Sequence, residues 1–245
     1  MKNIYFLCGM PRAGNTLLGS LINQNPKLNI TANTIVADVI YQIILCKELL
    51  IFKNFPDHES LDNIISNIFK NYYEKWEADN IIDRGPWGTP GNLKPIKNIF
   101  KRPKFIILYR PVLESLASFI RIEKPKNIHS RCETLMDLNG IIGKNLWSIK
   151  NIIAEKEDFI LINYKDLINS TEEQLVKIYK FLNIDFFNHS LDKLNQFKVN
   201  NILYNDNVIV APLHDIKTDK IELNSYNITD YLPPEIINKY SNLDI

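Results

Sequence analysis

Short apolar runs alternate with longer amphipathic stretches along most of the chain. Runs of this length without polar alternation are typical of strands that are buried on both faces of a parallel sheet. The predicted strands are Ile4–Cys8, Asn80–Asp83, Lys104–Tyr109 and Asp158–Asn163. The pattern after Phe186 is weaker and predicts long loops, with one late helix after Pro233 and Pro234.

Apolar residues at helical spacing lie between the predicted strands. Two capping-box patterns, Ser130 with Glu133 and Ser170 with Glu173, predict where two of the helices begin. The predicted helices are Thr16–Asn23, Thr34–Phe52, Leu61–Trp76, Val112–Ile122, Thr134–Glu155 and Gln174–Leu182. Strands that alternate with helices predict an α/β fold in which helices flank a parallel sheet. Because the sequence contains no linker or internal repeat, we expect one domain over residues 1–245.

Composition narrows the class of protein. A formal net charge of +1 argues against a general nucleic-acid binder and against a polybasic protein of the membrane surface. The three cysteines, Cys8, Cys46 and Cys132, are widely spaced and form no metal-binding pattern. No signal peptide and no apolar run of membrane-spanning length is visible, so we expect a cytoplasmic protein with free thiols.

The segment after the first strand carries the clearest chemical signal. Gly9 and Gly14 are separated by four residues, as in a phosphate-binding P-loop, and a helix begins near Asn15. Such a turn directs backbone N–H groups at one point, which favours an anion. A nucleotide hydrolase needs Lys where this chain has Asn15, whereas the cation here is Arg12 inside the loop. The pattern therefore favours an anion that binds without a metal.

A second arginine stands at the end of the third predicted strand. Arg110 follows Tyr109, and Ser118 lies eight residues further on, about two helical turns away. Ligands of open α/β sheets bind at the carboxyl ends of strands. We therefore expect Arg12 and Arg110 to face one crevice, where each would hold a different phosphate.

These segments together resemble the sulfotransferases that use 3′-phosphoadenosine 5′-phosphosulfate (PAPS), especially their tyrosylprotein and Golgi-type branch. Residues 11–17 are similar to the family's 5′-phosphosulfate loop, and residues 110–118 are similar to its 3′-phosphate motif. Arg84 stands where the family has a basic residue after a strand, and Tyr164 resembles its tyrosine beside the nucleotide. The resemblance implies a P-loop-like three-layer fold.

The resemblance also implies a reaction and a set of roles. It implies in-line transfer of a sulfuryl group from PAPS to a hydroxyl or amine of a small-molecule, glycan or peptide acceptor, without a metal. Arg12 and Arg84 would stabilise the transferring group. The expected donor-binding residues are Arg12, Ala13, Gly14, Asn15, Thr16, Arg110, Ser118, Tyr164 and Lys217.

The general base is the position where the sequence departs from the resemblance. The branch has a Glu where this chain has Asn33, and an amide cannot take a proton at neutral pH. Asp38 is the predicted substitute, and His129 and His214 are further candidates.

Two alternatives to a sulfotransferase remain open at this point. A P-loop kinase would explain the first strand, loop and helix, although this chain has Asn15 where a kinase needs Lys. A catalytically impaired nucleotide-binding module would explain the missing Glu.

Overall fold

The computed structural model describes residues 2–208, 214–216, 221 and 226–245. Five parallel strands form the central sheet in the order β2-β3-β1-β4-β5, and two short antiparallel strands form a hairpin. In chain order the strands are β1 (Asn3–Gly9), β2 (Leu28–Asn33), β3 (Asn80–Arg84), β4 (Lys104–Tyr109), β5 (Asp158–Asn163), β6 (Lys198–Val199) and β7 (Ile202–Leu203).

Helices connect these strands and flank the sheet. They are α1 (Asn15–Ile22), α2 (Val36–Cys46), α3 (Leu50–Asn54), α4 (His58–Tyr72), α5 (Pro90–Ile99), α6 (Val112–Glu123), α7 (Ile128–Met136), α8 (Ile141–Ala154), α9 (Tyr164–Asn169), α10 (Thr171–Leu182) and α11 (Pro234–Tyr240). Within the described part of the chain, none of these helices is long and apolar enough to cross a bilayer.

The central strands are buried on both faces, as the uninterrupted apolar runs predict. Successive strand residues point to opposite sides of a sheet. Phe6, Leu7 and Cys8 of β1 are all buried, and so are Phe105 to Tyr109 of β4. The predicted α/β class and the four predicted strands are confirmed.

Several predicted boundaries are wrong, each for a local reason. Strand β2 was not predicted, because its sequence Leu28–Asn33 mixes Asn and Thr with only two aliphatic residues. The predicted helix Thr134–Glu155 is two helices, α7 and α8, and the second begins after Gly140.

Neither predicted capping box is formed. Ser130 lies inside α7, and the Asn127 side chain caps that helix by accepting a hydrogen bond from the Ser130 amide. Ser170 does occupy the N-cap of α10, but its side chain makes no capping hydrogen bond.

The strand order places a topological switch at the carboxyl ends of β1 and β4. The chain leaves β1 toward one side of the sheet, where β2 and β3 lie, and leaves β4 toward the other side, where β5 lies. The two connections therefore diverge and open a crevice between neighbouring strands, which is where α/β proteins bind ligands. The loops that carry Arg12 and Arg110 flank this crevice.

An acidic side chain is enclosed inside the same sheet. Asp83 of β3 is fully buried, and it accepts hydrogen bonds from the hydroxyls of Tyr73 at 2.6 Å and Thr34 at 3.0 Å. Burial raises the pKa of its carboxyl from 3.8 to about 7, although those hydrogen bonds oppose the rise. The carboxyl group of Asp83 is therefore enclosed in the protein interior.

This burial gives a stability prediction. Between pH 3.8 and about 7 the folded Asp83 holds a proton that the unfolded chain has lost. Raising the pH through this window should therefore lower the free energy of unfolding, by an amount on the order of a few kcal/mol. Urea unfolding at several pH values should show that Asp83→Asn loses this decrease. Asp79→Asn, at an exposed site next to the same strand, should keep it; equal pH profiles for both variants would contradict the assignment.

Candidate functional site

The loop between β1 and α1 turns the chain with two left-handed residues. Arg12 has φ 65° and Gly14 has φ 86°, and the Ala13 amide donates to the Met10 carbonyl at 3.3 Å. Helix α1 then begins at Asn15 without a side-chain cap. Backbone N–H groups at this helix start lack intrahelical partners, and the helix dipole adds positive potential there. The predicted phosphate-type loop is therefore present in this form.

Asn15 closes this loop and does not reach outward as a P-loop Lys would. Its side chain is buried, and Nδ2 donates to the Met10 carbonyl at 2.7 Å. The amide lies so close to Gly9 that a Cβ at Gly9 would sit 1.7 Å from Asn15 Oδ1. The position that distinguishes a kinase therefore holds a neutral, inward-facing residue.

Arg12 and Arg110 lie next to each other at the carboxyl ends of β1 and β4. Arg110 Nη1 donates to the carbonyl oxygen of Arg12 at 2.9 Å, which ties the β4 end to the β1 loop. Arg12 Nε donates to Ser118 Oγ at 3.3 Å. The structure thus brings together three residues that lie 106 positions apart at most. The Arg12 side chain therefore contacts a residue of the predicted 3′-phosphate motif.

The Arg110 guanidinium is fixed on several sides. Nε pairs with Glu114 at 3.2 Å, and Nη2 donates to the Tyr226 hydroxyl at 3.0 Å. The ring of Tyr164 lies 4.3 Å beneath the guanidinium carbon, which is a cation–π contact. Lys165 pairs with the other oxygen of Glu114 at 2.9 Å. Tyr164, which was predicted to lie beside the nucleotide, thus packs against Arg110.

A third arginine joins the cluster and was missed by the sequence reasoning. Arg121 lies three residues after Ser118 on α6, and its guanidinium carbon is 5.1 Å from the centre of the Tyr226 ring. Its Nε is buried and has no hydrogen-bond partner among the described residues. Helical spacing from Ser118 is the signal that could have found it, because residues three apart share one helix face.

The cluster carries more positive than negative charge. Burial lowers the pKa of the Arg12 guanidinium, and the neighbouring charges of Arg110 and Arg121 lower it further. Glu114 is the carboxylate that pairs with Arg110. Partly buried guanidinium groups packed this closely repel each other, so an anion bound among them would relieve the repulsion.

Arg84 occupies the other side of the crevice, at the end of β3. Its backbone amide donates to Thr31 Oγ1 at 2.9 Å, and its register partner on β2 is Asn33. Its Nη1 donates to the Tyr204 hydroxyl at 2.9 Å. Asn33, which stands where the resemblance implies a Glu, is therefore adjacent to Arg84 but carries an amide.

A histidine–carboxylate pair adjoins Arg84 through Tyr204. The imidazole of His214 stacks on the Tyr204 ring, with 3.7 Å between centroids and 3° between planes. Its Nδ1 lies 2.6 Å from Asp206 Oδ1, and its backbone amide donates to Asp206 Oδ2 at 3.0 Å. Phe197 packs against the Tyr204 ring at 5.0 Å.

The remaining predicted residues are less closely placed. Asp38 is exposed on α2. His129 is exposed on α7, 4.0 Å from Glu235, and no contact links it to the arginine cluster within the described ranges. Lys217 lies outside the described residues.

Known proteins similar to this chain fall in one group. The family model described as "Sulfotransferase family" matches residues 5–188. A search of curated proteins found no match.

Solved structures with the same fold are also sulfotransferases. Mouse sulfotransferase SULT7A1 complexed with PAP superposes with a TM-score of 0.57 at 14% identity, covering 99% of this chain and 82% of that one. The sulfotransferase domain from the Synechococcus PCC 7002 olefin synthase has a TM-score of 0.55 at 16% identity, covering 100% and 90%. The sulfotransferase domain from the curacin biosynthetic pathway has a TM-score of 0.52 at 14% identity, covering 100% and 92%. At these identities the structural similarity shows the fold alone. The fold agrees with the P-loop-like architecture that the sequence predicts.

The left-handed turn at Gly14 makes a stability prediction. A residue with a side chain at position 14 would have to adopt φ 86°, and its Cβ would lie 3.3 Å from side-chain atoms of Leu167 and Tyr164. We expect Gly14→Ala to lower the free energy of unfolding by about 1–2 kcal/mol, measured by urea denaturation. Gly91→Ala is the matched control, because a Cβ at Gly91 would meet nothing within 4 Å and the residue belongs to a helix. A neutral Gly14→Ala would show that the loop has a different backbone conformation.

Proposed function

The chain belongs to the sulfotransferase family, and from that premise we propose that it transfers a sulfuryl group from PAPS to an acceptor hydroxyl or amine. PAPS supplies an activated sulfuryl group attached to a 5′-phosphate. The protein's own contribution is positioning and charge stabilisation, since neither sulfur nor phosphate needs a covalent partner on the enzyme.

The observation that carries the proposal is the arginine cluster. Arg12, Arg110 and Arg121 surround the hydroxyls of Ser118 and Tyr226 at the carboxyl edge of the sheet. A buried guanidinium N–H without a partner, on Arg121, is the feature expected where a dianion such as a 3′-phosphate binds. These residues therefore fit the phosphate that distinguishes PAPS from ATP.

The loop after β1 would hold the 5′-phosphosulfate. The amides of Gly14, Asn15 and Thr16 lie at the start of α1, and a helix start of this kind binds phosphate groups; the predicted fourth donor, the Ala13 amide, is bonded to the Met10 carbonyl in this structure. Because Asn15 is turned inward, the loop offers backbone donors and no side-chain cation at that position. We therefore propose that PAPS binds here without a metal ion.

Arg84 would stabilise the transferring group. It lies at the end of β3, and β3 neighbours β1, so the end of β3 lies beside the phosphate-type loop. Negative charge that develops on the sulfuryl oxygens and on the leaving phosphate would meet Arg84 and the amides at the start of α1, since the Arg12 side chain is bonded to Ser118 in the arginine cluster. Preorganised charges of this kind supply much of the rate enhancement of group-transfer enzymes.

Finer parts of the assignment are also proposals. Membership of the tyrosylprotein and Golgi-type branch stays a prediction from the spacing of Arg84, Arg110 and Ser118. The cytoplasmic location and the acceptor class also stay predictions. We propose one domain for the whole chain, because Asp244 near the C-terminus accepts hydrogen bonds from the Tyr109 hydroxyl at 2.5 Å and from the Val112 amide at 2.9 Å.

Binding of 3′-phosphoadenosine 5′-phosphate (PAP) tests the donor assignment. Calorimetry in a buffer with a metal chelator should show binding of PAP and much weaker binding of AMP, which lacks the 3′-phosphate. We expect Arg110→Ala to weaken PAP at least about 30-fold, the effect of removing one partner of a buried charge-assisted contact. Ser118→Ala should weaken it about fivefold, because it removes one neutral hydrogen bond.

Controls separate this result from the two alternatives. Arg102→Ala, an exposed arginine just before β4 at the opposite edge of the sheet, should leave PAP binding unchanged. Binding of ATP that depends on magnesium, equal to or tighter than PAP, would favour a kinase. Tight PAP binding without transfer of sulfate from PAPS to any of a broad panel of alcohols, phenols and amines would favour a binding module.

A further inference from the structure

The proposed reaction needs a group that accepts the proton of the acceptor hydroxyl, and neither Asn33 nor Asp38 is suited to this task. Asn33 is an amide, and Asp38 is an exposed residue on α2. We infer that His214, oriented by Asp206 and stacked on Tyr204 beside Arg84, is this general base. The inference rests on the proposed sulfuryl transfer and names a residue for its proton step.

The geometry of the pair defines the protonation of the imidazole. Asp206 Oδ1 lies 2.6 Å from Nδ1 of His214, and a carboxylate at that position favours the tautomer with the proton on Nδ1. The other nitrogen, Nε2, then has a free lone pair. The same carboxylate would stabilise the imidazolium that forms when Nε2 takes a proton.

Contacts on both sides hold the histidine in place. The Asp206 carboxylate also accepts the backbone amide of His214, so side chain and main chain are fixed by one group. Ile216 lies two residues after His214. Its carbonyl accepts from the Gln196 side-chain amide at 2.7 Å, and its backbone amide donates to the Gln196 side-chain oxygen at 3.0 Å. A base held at this many points loses little entropy when it engages the acceptor.

The location of the pair matches where the acceptor must approach. Tyr204 contacts Arg84 through its hydroxyl and His214 through its ring face, so one side chain separates the imidazole from the cation proposed to stabilise the sulfuryl group. The side chain of His214 keeps 25% of its surface exposed, which leaves access for a hydroxyl. The imidazole contacts two titratable groups, Asp206 and Tyr204, and Arg84 contacts the Tyr204 hydroxyl.

Sulfuryl transfer exchanges one bond to sulfur for another. The acceptor oxygen forms a bond to the sulfur of PAPS, and the bond between that sulfur and the 5′-phosphate oxygen breaks. The leaving PAP keeps the electron pair of the broken bond. The acceptor proton moves to Nε2 of His214, and the resulting imidazolium pairs with Asp206 until the proton passes to water.

Two phenols of different acidity test the inference, because an already ionised acceptor needs no base. With PAPS as donor in mildly alkaline buffer, His214→Gln should slow transfer to phenol by about 10²–10⁴-fold, the usual contribution of a general base. Transfer to 4-nitrophenol, which is largely ionised there, should change less than about threefold. Asp206→Asn should also slow the phenol reaction selectively, because it removes the carboxylate that stabilises the imidazolium.

A spectroscopic readout follows the proton without turnover. With PAP bound, in near-neutral buffer, the wild-type protein should increase the visible phenolate absorbance of bound 4-nitrophenol over that of the free phenol, because the bound phenol gives its proton to His214. The His214→Gln variant should bind the same phenol in its colourless neutral form. His58→Gln, an exposed histidine on α4, is the matched control and should behave as the wild type.

The outcomes distinguish this inference from the proposed function. If His214→Gln binds PAP normally and transfers sulfate to both phenols at the wild-type rate, the inference is wrong and the proposed function stands. Equal slowing of both phenols would indicate a structural role for His214 and would also overturn the inference, as would selective loss in Asp38→Asn in place of His214→Gln. A wild-type protein that binds no PAP would overturn the proposed function itself.

Discussion

The hydrogen bond from Arg110 to the carbonyl oxygen of Arg12 is the contact on which the rest of the site depends. It joins the ends of β1 and β4, and these are the two strands between which the chain connections diverge. Because it uses a backbone carbonyl in the left-handed turn, it fixes both the loop shape and the place of Arg110. Tyr164 then has a defined cation to pack against, and Glu114 has one to pair with.

The fold could largely be predicted from the sequence, because burial on both faces leaves an unambiguous trace. A strand covered on two sides must be apolar at every position, which is how β1 and β4 stand out. Strand β2 lies at the edge of the sheet, and its half-buried residues Asn29 and Ala32 break that pattern. The break between α7 and α8 was missed because apolar spacing continues across it, although Gly140 marks the start of the second helix.

The sequence predicted the site residues that directly follow strands, but it did not predict the contacts made by distant segments of the chain. Arg12 and Arg110 follow strands directly, and the fold brings the carboxyl ends of parallel strands together, so their proximity follows from topology. Tyr226 reaches the same cluster from the far end of the sequence, and no local pattern predicts that contact. His214 was named as a candidate base without its partner, because Asp206 lies in a segment without periodicity.

Because Asn15 packs closely on Gly9, the substitutions that each of these two positions tolerates depend on the residue at the other. Any side chain at Gly9 would overlap Asn15 Oδ1, so residue 9 can change only after residue 15 has become smaller. The reverse order is open, since a smaller residue at 15 would lose one buried hydrogen bond to Met10 without a steric clash. Substitutions in this loop should therefore be epistatic and ordered in time, with position 15 varying before position 9 among descendants of this sequence.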